Sequence, residues 1–184
     1  MADTLVAGLD LSLTSTGVAL ISDTLCITLR RVQSKGSRID TLDQRWMRLA
    51  TLTDDVCSAV VSLGVPQLVV VEGPSYHSTG AGTHDRSGFW WLVVDRLAAI
   101  TDVAEVPPAS RTKYLVGKGN ASKDEVLAAA VRRYRDVDIT CNDVADAVGL
   151  AAMGARAMGL PIEKSLPATN AEACKKIAWT GVAA

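Results

Sequence analysis

A long apolar segment, residues 142–159, constrains the fold of this chain more than any other feature. From Val144 to Leu160 the only charged side chains are Asp146 and Arg156. The segment predicts a helix that is apolar on nearly every side, and such a helix must be covered by other elements. A chain of 184 residues with 48% hydrophobic content can supply this cover within a single core. We therefore expect one layered domain built around this helix.

The rest of the chain alternates between strand and helix patterns. Three early segments rich in β-branched and apolar residues, separated by short polar breaks, predict an antiparallel meander. Helical and strand patterns then alternate, which predicts an α/β fold whose sheet mixes antiparallel and parallel strands. The predicted strands are 4–10, 17–22, 24–32, "QLVVVEG" and "DVAEV", and the predicted helices are 40–63, 89–100, 123–135 and 142–159.

The remaining segments are predicted to be connections and a tail. Residues 73–88, "GPSYHSTGAGTHDRSG", are rich in Gly, Ser and Thr, which predicts a mobile loop of the kind that often carries function. "PPASRTKYLVGKGNASK" is interpreted as a basic connection. We expect one domain over residues 1–160 and a C-terminal tail over 161–184.

Composition excludes several classes of protein. A formal net charge of −1 does not favour a general polyanion binder, and four scattered cysteines without a C-x-x-C pair form neither a zinc pattern nor a disulfide framework. No basic leader and no apolar run of membrane-spanning length is present in the sequence. We expect a cytoplasmic protein with no membrane partner and no small-molecule cofactor.

Two carboxylates interrupt or end apolar strands. Asp10 lies in "TLVAGLDLSLTSTGVAL", and Glu72 ends "QLVVVEG". A buried carboxylate is costly unless it is paired, hydrogen-bonded or bound to a metal, and the two strands can bring both acids to one sheet edge. The alternatives are that Asp10 accepts hydrogen bonds from the Ser/Thr turn, and that Glu72 ends its strand in solvent.

The apolar helix supplies a second pair of acids. Asp143 and Asp146 are three residues apart, so their side chains point in similar directions and can converge on one centre. Asp143 or Asn142 has an alternative role as a helix cap, whereas Asp146 lies beyond the cap positions. Four acids without a thiolate or histidine cluster favour hard cations, Mg²⁺ or Mn²⁺.

At this point the sequence resembles a known family. "GLDLSLTSTGVAL", "VVVEGPSYH", "VGKGNASKDEV" and "NDVADAVGLA" resemble, in order, the signature stretches of RuvC-type Holliday junction resolvases, cellular or phage-type, in the RNase H-like superfamily. The resemblance implies that residues 1–160 form a RuvC-like nuclease domain with an RNase H-like fold: a mixed five-stranded sheet, three antiparallel strands followed by parallel ones, flanked by helices.

The resemblance also implies a set of functional residues. Two Mg²⁺ ions, or Mn²⁺ in their place, would be held by Asp10, Glu72, Asp143 and Asp146, and Lys123 would be the basic residue near the scissile phosphate. Lys113 matches a further family lysine after a shift of one residue. Tyr76 follows Ser75, which occupies the place of an aromatic residue in other members.

A basic segment is the best candidate for contact with phosphates. Between residues 107 and 135 the basic residues exceed the acidic ones by five. From this segment we select Arg111, Lys113, Lys118 and Lys123 as DNA-binding residues, with Tyr76 added from the preceding loop.

We therefore expect a metal-dependent endodeoxyribonuclease that resolves four-way and related branched DNA. A junction has near twofold symmetry, which favours a homodimer, and the aromatic segment around Trp90 is expected to share its apolar side chains between core and interface. The alternatives are an RNase H-like nuclease on flaps, forks or RNA–DNA hybrids, and a catalytically idle nucleic-acid-binding module of this fold. The expected location is the cytoplasm of a prokaryotic cell or of a phage-infected host.

Overall fold

A computed structural model describes residues 4–74 and 82–181 of the chain. Five strands and six α-helices follow one another in this part, and a short 3₁₀ helix comes last. The strands are β1 (Thr4–Asp10), β2 (Ser15–Ser22), β3 (Ile27–Gln33), β4 (Leu68–Glu72) and β5 (Asp102–Val106). The α-helices are α1 (Leu42–Val60), α2 (Thr83–Ala98), α3 (Pro108–Val116), α4 (Lys123–Arg133), α5 (Asn142–Ala157) and α6 (Ala168–Ala171), and the 3₁₀ helix is Glu172–Lys176.

The strands form one mixed sheet in the order β3-β2-β1-β4-β5. The pairs β1–β2 and β2–β3 are antiparallel, whereas β1–β4 and β4–β5 are parallel. The predicted fold class, a five-stranded sheet with an antiparallel meander followed by parallel strands, is confirmed. The C-terminal ends of β1 and β4 therefore lie side by side at the same end of the sheet.

The two faces of the sheet are covered by different helices. On one face, side chains such as Val6 and Val70 pack with those of α3, α4 and α5. On the other, Leu9 and Val71 pack with those of α1 and α2. The alternation of period two along each strand explains this division, since neighbouring residues point to opposite faces.

Two glycines let α5 lie directly on the sheet. A Cβ atom at Gly8 would collide with the Ala147 carbonyl oxygen, and one at Gly17 would collide with the Asp143 carbonyl oxygen. Backbone therefore meets backbone at both contacts. This close approach fixes the first turns of α5 beside the end of β1 and the start of β2.

Two predicted connections contain helix, and these predictions were wrong in part. Helix α2 begins at Thr83, inside the predicted loop 73–88, and Asp85 in its first turn forms a two-bond ion pair with Arg45 of α1. The predicted basic connection contains α3, which begins at Pro108 and ends before Gly117, a left-handed residue with φ of 95°. Proline at a helix start and glycine after its end are typical terminal signals.

The segment after residue 160 packs on the same core as the rest. Asn170 is buried and donates from Nδ2 to the Tyr114 carbonyl oxygen at 2.8 Å. Ala173 and Ile177 belong to the core cluster around α5. Within residues 4–74 and 82–181, no helix has the length and apolar character that a membrane crossing requires.

Candidate active site

The first two acids meet where parallel strands end. β1 and β4 pair in parallel up to Leu9 and Val71, so Asp10 and Glu72 each follow the last paired residue. Both acids line one cleft of about 180 Å³, together with residues of α2 that include Arg86 and Trp90. The prediction that the two strands bring Asp10 and Glu72 to one edge is confirmed.

Helix α5 brings the other two acids to the same place. Cys141 precedes the helix without a side-chain cap, and neither Asn142 nor Asp143 caps it. The Asp143 carboxylate accepts a short hydrogen bond from the Ser15 hydroxyl, and Arg31 Nε lies 3.5 Å from it. Asp146, one turn further on, is buried.

The carboxylates influence one another electrostatically. Burial raises the pKa of Asp10 to about 8, and the negative charges of Glu72 and Asp146 raise it as well. Burial also raises the pKa of Asp146 to about 7, with Arg111 opposing the rise and Glu72 adding to it. Repulsion from neighbouring carboxylates contributes to both shifts, as expected where several acids lie close together.

The alternative partners considered for Asp10 are not used. The Ser/Thr turn satisfies itself, since Thr16 Oγ1 accepts from the Ser12 N–H at 3.1 Å and donates to the Ser12 carbonyl at 3.0 Å. In the described part of the chain, the Asp10 carboxylate has no hydrogen bond or ion pair. The Asp10 carboxylate is therefore available to coordinate a cation.

Arg111 is the most unexpected member of the site. Its side chain is buried, and its Nη2 lies 2.6 Å from Glu72 Oε2 while its Nη1 lies 2.5 Å from Asp146 Oδ1. The contact with Asp146 lacks hydrogen-bond geometry, so Asp146 Oδ1 is buried without a hydrogen-bond donor. Arg111 thus lies between two acids, unlike the exposed phosphate-binding residue expected from the sequence.

The cluster is suited to a hard cation, although its side chains are not arranged around a metal position. Across residues 4–74 and 82–181, no three His, Cys, Asp or Glu side chains are already arranged to hold a metal ion. The donors are all carboxylates, one is unpaired, and a buried oxygen of another lacks a donor. Oxygen donors in a cluster of excess negative charge fit Mg²⁺ or Mn²⁺.

The predicted lysines lie on α3, at the start of α4 and in the connection between these helices. Lys123 is the first residue of α4. Its charge opposes the rise that burial causes in the pKa of Asp146, so it lies within electrostatic reach of this acid. Lys118 is paired with Glu125 at 2.7 Å, and Lys113 with Glu172 at 3.3 Å. Tyr76 lies outside the described residues.

The aromatic segment of α2 divides between core and surface. Phe89 is buried, and Trp90 is 9% exposed, with its Nε1 donating to the Glu72 carbonyl at 2.9 Å. Trp91 is 63% exposed. Trp90 therefore supports the strand end that carries Glu72, while Trp91 is left on the surface.

The comparisons with known proteins agree with this geometry. The crossover junction endodeoxyribonuclease RuvC of Chlamydia caviae is 31% identical over 126 residues, which cover 66% of this chain and 70% of the relative. The chain belongs to the RuvC family of crossover junction endodeoxyribonucleases. No family model matches the sequence.

Solved RuvC structures share the fold. Thermus thermophilus RuvC superimposes with a TM-score of 0.61 at 20% identity, covering 84% of this chain and 96% of that one. The same protein in complex with a Holliday junction substrate gives a TM-score of 0.62 at 21% identity, with coverages of 80% and 90%. The RNase H-like fold expected from the resemblance is confirmed.

Sequence reasoning missed three contributors to this candidate site. Ser15 and Arg31 contact Asp143, and Arg86 lines the cleft beside Asp10. The register of β2 and β3, in which Arg31 lies opposite Gly17 beside Asp143, brings Arg31 to this acid, and the sequence does not specify that register. No pattern in the sequence indicated Arg86, since its segment was predicted to be a loop.

Proposed function

We propose that this protein is a divalent-metal-dependent endonuclease that resolves four-way DNA junctions. The observation that carries the proposal is the convergence of Asp10, Glu72, Asp143 and Asp146 from three elements, with raised pKa values for Asp10 and Asp146. Membership of the RuvC family gives this acid cluster a reaction class, phosphodiester hydrolysis in DNA.

In this proposal the four acids hold two cations. When bound, such a pair supplies an activated water and stabilises charge on the leaving 3′ oxygen of a phosphodiester. The acids orient and space the cations, and α5 gives two of them a rigid support. Lys123 adds positive charge close to Asp146, where a scissile phosphate would lie.

The DNA is recognised mainly by its shape and backbone. Lys113 and Lys118 are exposed and paired with acids on the surface, where an ion pair contributes little stability. A DNA phosphate can replace the acidic partner at small cost, and the counterions released from the DNA favour this exchange. We propose these lysines and Lys123 as phosphate contacts on one side of the acid cluster.

We propose a homodimer as the working form, with the surface of α1 and α2 as its interface. Large apolar side chains are exposed on both helices: Trp46 and Met47 on α1, Trp91 and Leu92 on α2. Isologous pairing of this surface would present two sites to the two symmetric strands of a junction. Exposed apolar area of this kind is typical of protein interfaces.

A substrate panel tests the activity. Labelled junction, fork, flap, duplex and RNA–DNA hybrid are incubated with Mg²⁺, Mn²⁺, Ca²⁺ or EDTA, and the products are sized. We expect junction cutting with Mg²⁺ or Mn²⁺, binding without cutting in Ca²⁺, and no reaction in EDTA. Preferred cutting of flaps, forks or hybrids would replace the junction assignment, and junction binding without cutting in any metal would indicate an idle binding module.

Sedimentation of the wild type and of two variants tests the dimer. Trp91→Glu places a charge in the proposed interface and is expected to give monomers at micromolar concentration. Val131→Glu is the matched control, because Val131 is exposed on α4, away from this surface. A monomeric wild type that still makes paired junction incisions would contradict the dimer.

A further inference from the structure

The guanidinium of Arg111 contacts two acids through different nitrogens. Its Nε donates to Glu72 Oε2 at 2.8 Å, and Nη2 lies 2.6 Å from the same oxygen. Its Nη1 lies 2.5 Å from Asp146 Oδ1 and donates to Thr112 Oγ1 at 3.3 Å. One positive charge thus lies between two of the acids proposed to share cations.

The position of Arg111 is built into the fold. Its helix, α3, directly follows β5, the strand beside β4, and its buried residues are Arg111, Thr112, Tyr114 and Leu115. The arginine side chain has 9% of its surface exposed, compared with 45% for Arg31, which contacts Asp143 from the edge of the site. A buried guanidinium held by two carboxylates does not exchange freely with solvent.

We propose that Arg111 is a resident counter-cation that occupies one of the cation positions of the acid cluster and sets how tightly the cluster binds divalent ions. This inference rests on the proposed function and concerns the same acids. In the absence of metal, the guanidinium screens the repulsion between Glu72 and Asp146. A divalent ion that uses both carboxylates must displace it, so part of the attraction between acids and metal is spent on breaking two ion pairs.

The consequence has opposite signs for folding and for metal binding. Removing the positive charge leaves Glu72 and Asp146 uncompensated, so the metal-free protein loses stability. The same change removes the competitor and makes the site more negative, so divalent ions bind more tightly. A purely structural ion pair would produce the first effect without the second.

Calorimetric titration with Ca²⁺ in the absence of DNA separates these possibilities. We expect Arg111→Gln to bind Ca²⁺ about tenfold or more tightly than wild type, since a unit charge a few ångströms away is worth at least this much. Its melting temperature without metal is expected to fall by about 5 °C or more, and added Ca²⁺ is expected to raise it by a larger increment than in wild type.

Two further variants keep the test sharp. Arg111→Lys keeps the charge on a single ammonium group that cannot span both acids as the guanidinium does, so it competes less well with a divalent ion. It is expected to bind Ca²⁺ more tightly than wild type and less tightly than Arg111→Gln, and it covers the case in which Arg111→Gln does not fold. Arg96→Gln removes the arginine of the exposed Asp54 ion pair in the last turn of α2, whose first turns line the cleft, and is expected to leave Ca²⁺ affinity unchanged.

The outcomes distinguish this inference from the proposed function. Ca²⁺ affinity that is unchanged or lower in folded Arg111→Gln would overturn the counter-cation while leaving the nuclease intact, provided that wild type binds Ca²⁺ and cuts junctions with Mg²⁺. If Arg111→Gln does not fold, Ca²⁺ affinity in Arg111→Lys that is equal to or lower than that of wild type would overturn it. Wild type that binds no divalent ion would overturn both.

Discussion

Two clusters of buried charge lie at opposite ends of α5, and they differ in how completely their acids are paired. At the C-terminal end, Glu163 accepts from the Tyr114 hydroxyl at 2.6 Å, from the Tyr134 hydroxyl at 2.7 Å and from Arg156 Nη2 at 2.9 Å. Both of its oxygens have donors. At the N-terminal end, Asp10 has no partner in the described part of the chain, and Asp146 Oδ1 lacks a hydrogen bond.

The comparison shows how a buried acid that serves the fold differs from one that is available to a ligand. The Glu163 carboxylate is not available to a ligand, because its oxygens already accept hydrogen bonds from donors of α3, α5 and the end of α4. Burial and the Glu163 charge raise the pKa of both tyrosines, which keeps them protonated as donors. The acids around Asp10 carry more negative charge than the neighbouring basic side chains neutralise. A divalent cation can neutralise the remainder.

The largest expected effect is on catalysis, at the open end of α5. Asp146→Asn keeps the shape of the side chain and removes one negative ligand, so cleavage should fall more than about 100-fold, beyond the 10- to 100-fold typical of residues that only orient a ligand. The measurement is a single-turnover time course with Mg²⁺.

A gel shift in Ca²⁺ is the companion to this measurement. Junction affinity should be retained or slightly increased, because a negative charge near the phosphates is gone. Normal cutting by the folded variant would identify Asp146 as a structural acid, like Glu163.

At the closed end, the expected effect is on stability. Glu163→Gln replaces an acceptor by a donor opposite two hydroxyls and leaves Arg156 without its counter-charge, so unfolding should become easier by about 2 kcal/mol. Urea denaturation measures this loss. Ca²⁺ affinity should not change, and a change comparable to that of Asp146→Asn would mean that the two clusters are coupled through α5.

The open cluster also predicts an unusual dependence of stability on pH. The raised pKa of Asp10, about 8 against 3.8 in the unfolded chain, means that the folded state holds a proton that the unfolded state has released. Stability of the metal-free protein should therefore fall as pH rises from 5 to 9, by roughly 4 kcal/mol, most of it below pH 8. Asp10→Asn, or saturating Mg²⁺, should flatten this profile, whereas a profile unaffected by either would contradict the assignment.

The smallest effects are expected on the exposed lysines. Lys118→Ala combined with Lys123→Ala should weaken junction binding and lower the slope of log affinity against log salt by about 2, one phosphate contact for each lysine. The titration is run at several salt concentrations in Ca²⁺. An unchanged slope would remove both residues from the DNA surface.

The sequence was sufficient for the sheet and for the acids. Period-two strands and an almost uncharged α5 made Asp10, Glu72 and Asp146 conspicuous, because each is a charge in an apolar context. Their convergence follows from parallel pairing of β1 and β4, which places strand ends together.

The partners of these acids could not be predicted in the same way. Arg111 is 39 residues from Glu72 in sequence, and its helix was interpreted as a basic connection because Gly, Pro and lysine dominate the segment. Which face of α3 turns inward depends on packing against α5, and local propensity carries no information about it. Glu163 lies in the segment predicted to be a C-terminal tail, so its burial could not be predicted from the sequence either.

The contacts at Gly8 and Gly17 bear on how this enzyme could be re-engineered. The distance between the acids of the sheet and those of α5 is set by the contact between two backbones. Rotation of side chains changes this distance little. A methyl group at Gly17 would push away the N-terminal end of the 16-residue helix α5, and one at Gly8 would push away its middle. Either change would alter several carboxylate distances together. The distances between the acids on the sheet and those on α5 therefore depend on the position of this helix as a whole, and they can be changed only by moving it.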